Sequence, residues 1–217
     1  MTTKIIPIVK KILNANDQIA QENNKILKDN NILTINVMAS PGSGKTSMIL
    51  RTIMELSSMY RIGVIEGDTA PVTIDSDKVS NLDIPVTQIN TGGECHLDAM
   101  MVRKGMEQLD LANLDLLIIE NVGNLVCPAA FKLGEDFSVV VASIPEGDDK
   151  PYKYPNIYRG IQALILNKID LLPYLDFDMD YFRKGIEGLN PDASFFPLSC
   201  KTGENFNVWI NWLKNYL

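Results

Sequence analysis

The sequence predicts an α/β fold with a mostly parallel central sheet and helices on both faces. Two observations support this prediction. Short apolar runs recur along the 217 residues and alternate with amphipathic, helix-favouring segments. The most apolar run, residues 114–119, has the continuous hydrophobic character of a strand that is covered on both faces. Strands that alternate with helices in this way pair in parallel, because each crossover returns the chain to the same edge of the sheet.

The individual elements follow from the same patterns. Strands are predicted over residues 32–38, 61–66, 84–90, 114–119, 137–144, 163–166 and 194–198, and helices over residues 4–30, 47–59, 95–111, 178–188 and 204–217. In the first helix, isoleucines recur every seven residues from Ile5 to Ile26 and form an apolar face. This face either packs on the flank of the domain or contacts a partner. We therefore divide the chain into an N-terminal amphipathic helix, residues 1–30, and a single domain, residues 31–217.

Composition limits the classes of function. Hydrophobic residues make up 46% of the chain, enough for one sizeable core, and the formal net charge is −7. An acidic chain lacks the basic face that nucleic acids and anionic membranes require, so neither is expected as a partner. The N-terminal residues offer no apolar signal region, and no apolar run reaches the roughly 18 residues of a membrane span, so we expect a cytoplasmic protein. The three cysteines lie far apart, which argues against a disulfide framework and leaves metal binding, catalysis or burial.

A phosphate-binding motif joins the first predicted strand to the helix after it. The residues are Ala39, Ser40, Pro41, Gly42, Ser43, Gly44, Lys45, Thr46 and Ser47. In such a loop the backbone N–H groups surround the β-phosphate, the Lys45 ammonium bridges the β- and γ-phosphates, and the Thr46 hydroxyl binds Mg²⁺. The motif usually begins with Gly, and Ala39 departs from that pattern. The sequence therefore predicts a P-loop NTPase.

A second motif favours guanine as the base. Asn167, Lys168 and Asp170 follow a predicted buried strand about 120 residues after the phosphate loop. A carboxylate at Asp170 can accept hydrogen bonds from N1–H and the exocyclic amine of guanine, a pair of donors that adenine lacks, while the Lys168 stem lies over the base. Residues Ser199, Cys200 and Lys201 follow the last strand and resemble the turn whose backbone contacts guanine O6 in GTPases. GTP and GDP are therefore the expected nucleotides.

Acidic residues near the phosphate loop are candidates for binding Mg²⁺ and positioning water. Magnesium prefers hard oxygen ligands, several of them water. Thr46 supplies one such oxygen, Asp75 and Glu120 are candidates for others, and Asp68 lies in the same loop as Asp75. We expect Lys45 to neutralise charge on the phosphates and Asp68 or Asp75 to position the attacking water.

Two cysteines and a histidine provide a possible site for a softer metal. Cys95 and His96 follow the third predicted strand, and Cys127 follows the fourth, so all three lie at the carboxyl edge that also holds the nucleotide. Two thiolates and an imidazole suit nickel or zinc. Cys95 is expected to begin a helix, whose dipole favours a thiolate. A two-fold dimer would bring a second set of donors, whereas the alternative is two buried cysteines and a helix-capping histidine.

Several longer runs resemble one known family, the hydrogenase nickel-incorporation GTPases known as HypB, which are related to the urease accessory GTPases. The runs are residues 91–99 (TGGECHLDA), 119–129 (IENVGNLVCPA), 146–150 (EGDDK) and 167–171 (NKIDL). The resemblance implies a SIMIBI-type GTPase that dimerises with GTP and Mg²⁺ and holds nickel or zinc through Cys95, His96 and Cys127 at the dimer interface. It also implies hydrogenase maturation partners, among them a small zinc- or nickel-binding accessory protein and the hydrogenase large subunit.

Three other interpretations compete with this one. The chain could be a related urease-type nickel accessory GTPase, or a P-loop kinase that uses the same phosphate loop on a small substrate. It could also be a passive metal-binding module in which the phosphate loop no longer functions. GTP turnover without any acceptor besides water would separate a GTPase from a kinase.

Overall fold

A seven-stranded parallel sheet forms the centre of the molecule. The computed structural model describes residues 8–69 and 84–217, with side chains from residue 12 onward. The strands are β1 Leu33–Ala39, β2 Ile62–Asp68, β3 Val86–Asn90, β4 Leu116–Glu120, β5 Phe137–Ser143, β6 Ala163–Asn167 and β7 Ser194–Pro197. They pair in the order β3-β2-β4-β1-β5-β6-β7, and each neighbouring pair is parallel. The prediction of an α/β fold with a parallel sheet is confirmed.

Helices connect the strands. They are α1 Ile8–Asp29, α2 Lys45–Leu56, α3 Ala99–Met106, α4 Lys150–Lys153, α5 Pro155–Tyr158, α6 Met179–Leu189 and α7 Phe206–Lys214. Short 3-10 turns lie at Leu111–Asn113, Cys127–Ala130, Ile144–Glu146 and Ile169–Tyr174. In the part of the chain that the structure describes, none of the helices combines the length and the apolar character that crossing a membrane would require.

The two faces of the sheet are covered by different helices. Alternate residues of β1 show this, because Ile35 and Val37 face a core that includes the buried Trp209 of α7, whereas Met38 faces the other side. On that other side, Leu27 of α1 packs with side chains from α3 and β4. Helices therefore cover both faces of the sheet, so a binding site is expected in the loops at the strand ends.

Helix α1 is attached to the sheet through buried amides. The Asn23 side chain donates to the carbonyl oxygens of Ala99 at 2.8 Å and Leu133 at 2.9 Å, and it is fully buried. The Asn16 side chain donates to the Lys132 carbonyl at 2.8 Å and accepts from the Ala99 amide at 2.8 Å. Described residues of α1 thus pack on the flank of the sheet, but the face that packs is formed by Asn16, Ala20, Asn23 and Leu27. Ile12, which belongs to the predicted apolar face, is 54% exposed.

One predicted helix differs from the structure in a way that affects the site. A helix was expected to begin at Cys95 and to reach residue 111, but α3 begins at Ala99 and ends at Met106. The reason is Asp98, whose carboxylate accepts from the Met101 amide at 2.7 Å and caps the helix there. The prediction that Cys95 begins a helix is therefore wrong, and the α3 dipole does not act on that thiol from a first-turn position.

Candidate functional site

The phosphate loop lies between the central strand β1 and helix α2. Its shape is fixed by the base-side strand, because the Asn167 amide donates to the Ser43 carbonyl oxygen at 3.0 Å. Gly44 has a φ of +97°, and a Cβ there would collide with that amide. A second contact holds the start of the loop. The Ser40 hydroxyl donates to one carboxylate oxygen of Glu146, and the other oxygen of Glu146 accepts the Ser143 hydroxyl at 2.8 Å. The loop is thus held from two neighbouring strand ends.

Glu120 links the functional residues of this loop. It ends β4 and is 2% exposed, and its Oε1 lies 2.8 Å from the Lys45 ammonium nitrogen. The same oxygen accepts the Thr46 hydroxyl at 2.7 Å. Its second oxygen, Oε2, is buried without a hydrogen bond to any described residue. A buried carboxylate oxygen of this kind, next to a threonine hydroxyl, fits the ligand set that Mg²⁺ prefers.

A cavity of about 660 Å³ opens over the phosphate loop. Such a volume is in the range of sites that take a nucleotide or another small molecule. Its lining includes Ser40, Pro41, Gly42, Gly44, Lys45, Thr46, Ser47, Glu66, Gly67, Asp68, Thr69, Cys95, Glu120, Val122, Gly123 and Lys168. Asp68, predicted as a candidate for positioning water, lines this cavity, whereas Asp75 lies outside the described residues. One of the three predicted soft-metal donors, Cys95, shares the cavity with the phosphate loop.

The residues predicted to contact the base lie at the ends of β6 and β7. The Asn167 oxygen accepts the backbone amides of Lys168 at 2.8 Å and Cys200 at 3.0 Å. The Ser199 hydroxyl donates to Asp170 at 2.6 Å and so fixes the direction of that carboxylate. Asp170, Ser199, Cys200 and Lys201 do not line the cavity over the phosphates, while the Lys168 ammonium does and donates to the Gly42 carbonyl oxygen at 2.6 Å.

Burial of Cys200 decides its chemistry. Burial raises the pKa of this thiol to about 12, so it is protonated at neutral pH and is a poor metal ligand. The backbone of Cys200 is held in position, because the Arg51 guanidinium donates to its carbonyl oxygen at 3.1 Å. The side chain therefore serves packing beside the predicted base site.

The soft-metal donors come together. The sulfur atoms of Cys95 and Cys127 are 2.6 Å apart, both cysteines are free, and the Cys95 sulfur lies 3.9 Å from His96 Nδ1. Ligand atoms of all three residues lie within 4.8 Å of one another. The hydrogen bond with Cys95 and burial raise the pKa of the Cys127 thiol. The imidazole of His96 packs against Phe131, with ring centroids 3.9 Å apart. A half-buried set of two thiols and one imidazole suits a soft or borderline divalent ion.

Sequence reasoning did not assign three further residues at this edge of the sheet. Glu66, two residues before the end of β2, is the register partner of Glu120, is buried and lines the cavity. Glu146 holds the start of the phosphate loop through Ser40. Asn121 is fully buried directly after Glu120. The signal that could have found Glu66 was its place at the carboxyl end of a predicted buried strand, where Glu120 was recognised by the same argument.

The parallel sheet and the loop between β1 and α2 together define a P-loop NTPase domain. Comparison with known proteins makes this more specific, because residues 33–197 match the family model described as CobW/HypB/UreG, nucleotide-binding domain. The chain belongs to this family, among its HypB hydrogenase maturation factors. The resemblance recognised from the sequence runs is thereby confirmed.

Relatives of the chain support this placement over nearly its whole length. It is 41% identical over 212 residues to hydrogenase maturation factor HypB of Azotobacter chroococcum mcd 1. The matched region covers 98% of this chain and 69% of that protein. The crystal structure of HypB from Archaeoglobus fulgidus matches with a TM-score of 0.87 at 36% identity, covering 93% of this chain and 98% of that one. The crystal structure of Helicobacter pylori HypB in complex with nickel also matches with a TM-score of 0.87, at 35% identity, covering 93% and 94%.

Proposed function

We propose that this chain is a GTP-hydrolysing nickel metallochaperone that assists nickel insertion into [NiFe]-hydrogenase. In this proposal, GTP favours a homodimer, and dimerisation is coupled to metal binding at the dimer interface. The observation that supports it best is that Cys95 lines the cavity of the phosphate loop while lying within 4.8 Å of the other two soft donors. The nickel complex of a HypB relative supports nickel as the cargo.

Nucleotide binding rests on an exchange of partners at Glu120. Lys45 and Thr46 both bond to its Oε1, at 2.8 Å and 2.7 Å. A triphosphate competes for the Lys45 ammonium with more negative charge than one carboxylate carries. Lys45 then binds the β- and γ-phosphates, and Thr46 with Glu120 or Asp75 binds Mg²⁺. Hydrolysis needs positioned water and neutralised charge, which Lys45 and an acidic residue, Asp68 or Asp75, supply.

We call the group of Cys95, His96 and Cys127 the metal cluster. To bind an ion, its thiols must lose their protons and the ion needs a further ligand. A divalent ion binds thiolates, so binding releases protons, and the raised pKa of the Cys127 thiol makes that cost larger as the pH falls. Cys95, His96 and Cys127 offer three donors, one fewer than a tetrahedral ion takes. A second copy related by a two-fold axis supplies the rest, which is why the proposal places the ion, nickel or zinc, between two chains.

The proposal includes partners and a cell compartment. The nickel released on hydrolysis passes toward the hydrogenase large subunit with the help of a small zinc- or nickel-binding accessory protein. Nucleic acids and membranes are not proposed partners, because the chain carries a formal net charge of −7. The cytoplasm, where GTP and Mg²⁺ are available, is the proposed location.

The proposal is tested by measuring metal binding and oligomeric state in the same samples. Affinities for Ni²⁺ and Zn²⁺ are determined with GDP and with a non-hydrolysable GTP analogue, each with Mg²⁺, and light scattering reports the mass. We expect a dimer and a different metal affinity with the analogue. Equal affinities in the two states contradict the coupling, and turnover of GTP only when a small acceptor is added indicates a kinase.

A cysteine series identifies the ligands. Cys127→Ala should abolish binding at the interface and leave GDP affinity unchanged, because Cys127 does not line the nucleotide cavity. Cys200→Ala is the matched control, since it also removes one thiol but lies outside the cluster. Unchanged metal stoichiometry in Cys127→Ala shows that the ligand set is wrong.

A further inference from the structure

Asn121 connects the metal cluster to the end of the sheet. Its side-chain oxygen accepts the Leu97 amide at 3.1 Å and the Val122 amide at 2.9 Å. Its side-chain nitrogen donates to Asn36 of β1 at 3.2 Å, and its backbone amide donates to the Val37 carbonyl oxygen at 3.0 Å. The residue is fully buried and lines neither the nucleotide cavity nor the metal cluster. Its hydrogen bonds therefore act on backbone segments and on the Asn36 side chain.

The segment with Cys95 and His96 is held by the next residue, Leu97. Besides the bond from its amide to Asn121, the buried side chain of Leu97 lies directly over Gly67, where an added Cβ would come within 2.6 Å of the Leu97 Cγ atom. Gly67 itself lines the nucleotide cavity. Two of the three metal donors are thus fixed against the ends of β2 and β4.

The third donor is held differently. Cys127 lies farther along the loop that leaves Asn121, and this loop passes over the phosphate loop, because a Cβ on Gly123 would lie 3.3 Å from the Pro41 ring. Val122 and Gly123 line the cavity. The part of the loop that leads to Cys127 therefore contacts the phosphate loop and lines the cavity that would hold the phosphates.

We propose that Asn121 is the positioning residue that couples the nucleotide to the metal. It keeps Cys95 and His96 stationary while the phosphates displace the loop that bears Cys127, so the distance between donors depends on the nucleotide. Without this anchor, the segment with Cys95 follows the metal, and the affinity no longer distinguishes GTP from GDP. This inference deepens the proposed function and rests on it.

Variants at positions 36 and 121 separate the anchor from general packing. Asn121→Ala and Asn121→Ser both remove the bond to the Leu97 amide. Asn36→Ala is the matched control, because it removes the same bond between the two asparagines but leaves the Leu97 bond in place.

Three measurements decide the role of Asn121. Cobalt(II), whose thiolate absorption bands report ligation by cysteine, is titrated with GDP and with a non-hydrolysable GTP analogue. If wild type differs about tenfold between the two states, the Ala and Ser variants should differ by less than about twofold, and Asn36→Ala should respond like wild type. GDP affinity should be unchanged in all three variants. Hydrogen exchange without metal should be about tenfold faster at the Leu97 amide in the Ala and Ser variants only.

The outcomes distinguish this inference from the proposed function. If the cobalt affinity of wild type is the same with GDP and with the GTP analogue, both the proposed coupling and the role of Asn121 are wrong. A wild type that responds, together with Ala and Ser variants that respond equally, overturns the role of Asn121 alone. Loss of the response in Asn36→Ala as well also overturns it, because the pair of asparagines and not the Leu97 bond would then be responsible.

Discussion

Replacing Asn167 by Ala should loosen the phosphate loop before any nucleotide is bound. The side chain, 2% exposed, makes three hydrogen bonds, to the Ser43 carbonyl oxygen and the amides of Lys168 and Cys200. Each bond contributes about 1 kcal/mol net, so the variant should lose about 3 kcal/mol of unfolding free energy. In a domain of this size that corresponds to a fall in melting temperature of about 6–12 °C.

Thermal unfolding followed by circular dichroism, first without nucleotide and then with GDP and Mg²⁺, measures this effect. Lys168→Ala is the control, because it removes only the partly exposed contact to the Gly42 carbonyl oxygen and should cost less than about 1 kcal/mol. Asn167→Ala should also bind GDP at least about tenfold more weakly, since the loop is no longer preorganised. A fall of less than about 2 °C without nucleotide would refute the argument that Asn167 holds the loop in place.

Three further predictions concern the base, a surface ion pair and the glycine under the metal cluster. Asp170→Asn should weaken GDP binding by about tenfold or more and favour xanthosine diphosphate, whose O2 accepts a hydrogen bond from the new amide; competition binding that still prefers GDP contradicts the base assignment. The hydrogen bond from Arg61 lowers the pKa of Asp115 to about 2, so this pair stabilises the fold above pH 4 and loses that effect between pH 4 and 2. Because both side chains are partly exposed, the urea unfolding free energies of wild type and Asp115→Asn should differ by at most about 1 kcal/mol, and the difference should shrink in that window; a constant difference would contradict it. Gly67→Ala should displace Leu97, cost about 1–3 kcal/mol in urea unfolding and weaken cobalt binding, and unchanged stability would show that Leu97 can move freely.

Much of this fold follows from local rules. The strand that precedes the phosphate loop, the strand that ends at Glu120 and the helix after Lys45 were each predicted to within a few residues. Boundaries failed where a side chain set them, and Asp98 is the clearest case, because a cap competes with helix propensity at a single position. Periodicity indicates that a helix exists but not which carboxylate begins it.

The convergence of the metal donors was only partly predictable. The chain segments of Cys95 and Cys127 follow β3 and β4, and these strands are not neighbours, because β2 lies between them. The donors meet because residues 91–98 return across the end of β2, where Gly67 leaves room for Leu97. Sequence alone shows that both loops are on one edge of the sheet. It does not show that a glycine on the intervening strand β2 lets them touch.

The charge on Glu120 explains why nucleotide and magnesium would act as one ligand. A buried carboxylate with one oxygen lacking a hydrogen bond repels a triphosphate that arrives alone, since both are anions in a region of low dielectric constant. In the proposed function, Mg²⁺ would reverse that interaction by binding both the carboxylate and the phosphates. In the proposed function, Lys45 would exchange its bond to Glu120 for the phosphates in the same step. Asn121, the next residue along the chain, accepts the Leu97 amide at 3.1 Å, so the proposed anchor of the segment with Cys95 and His96 lies one peptide bond from Glu120.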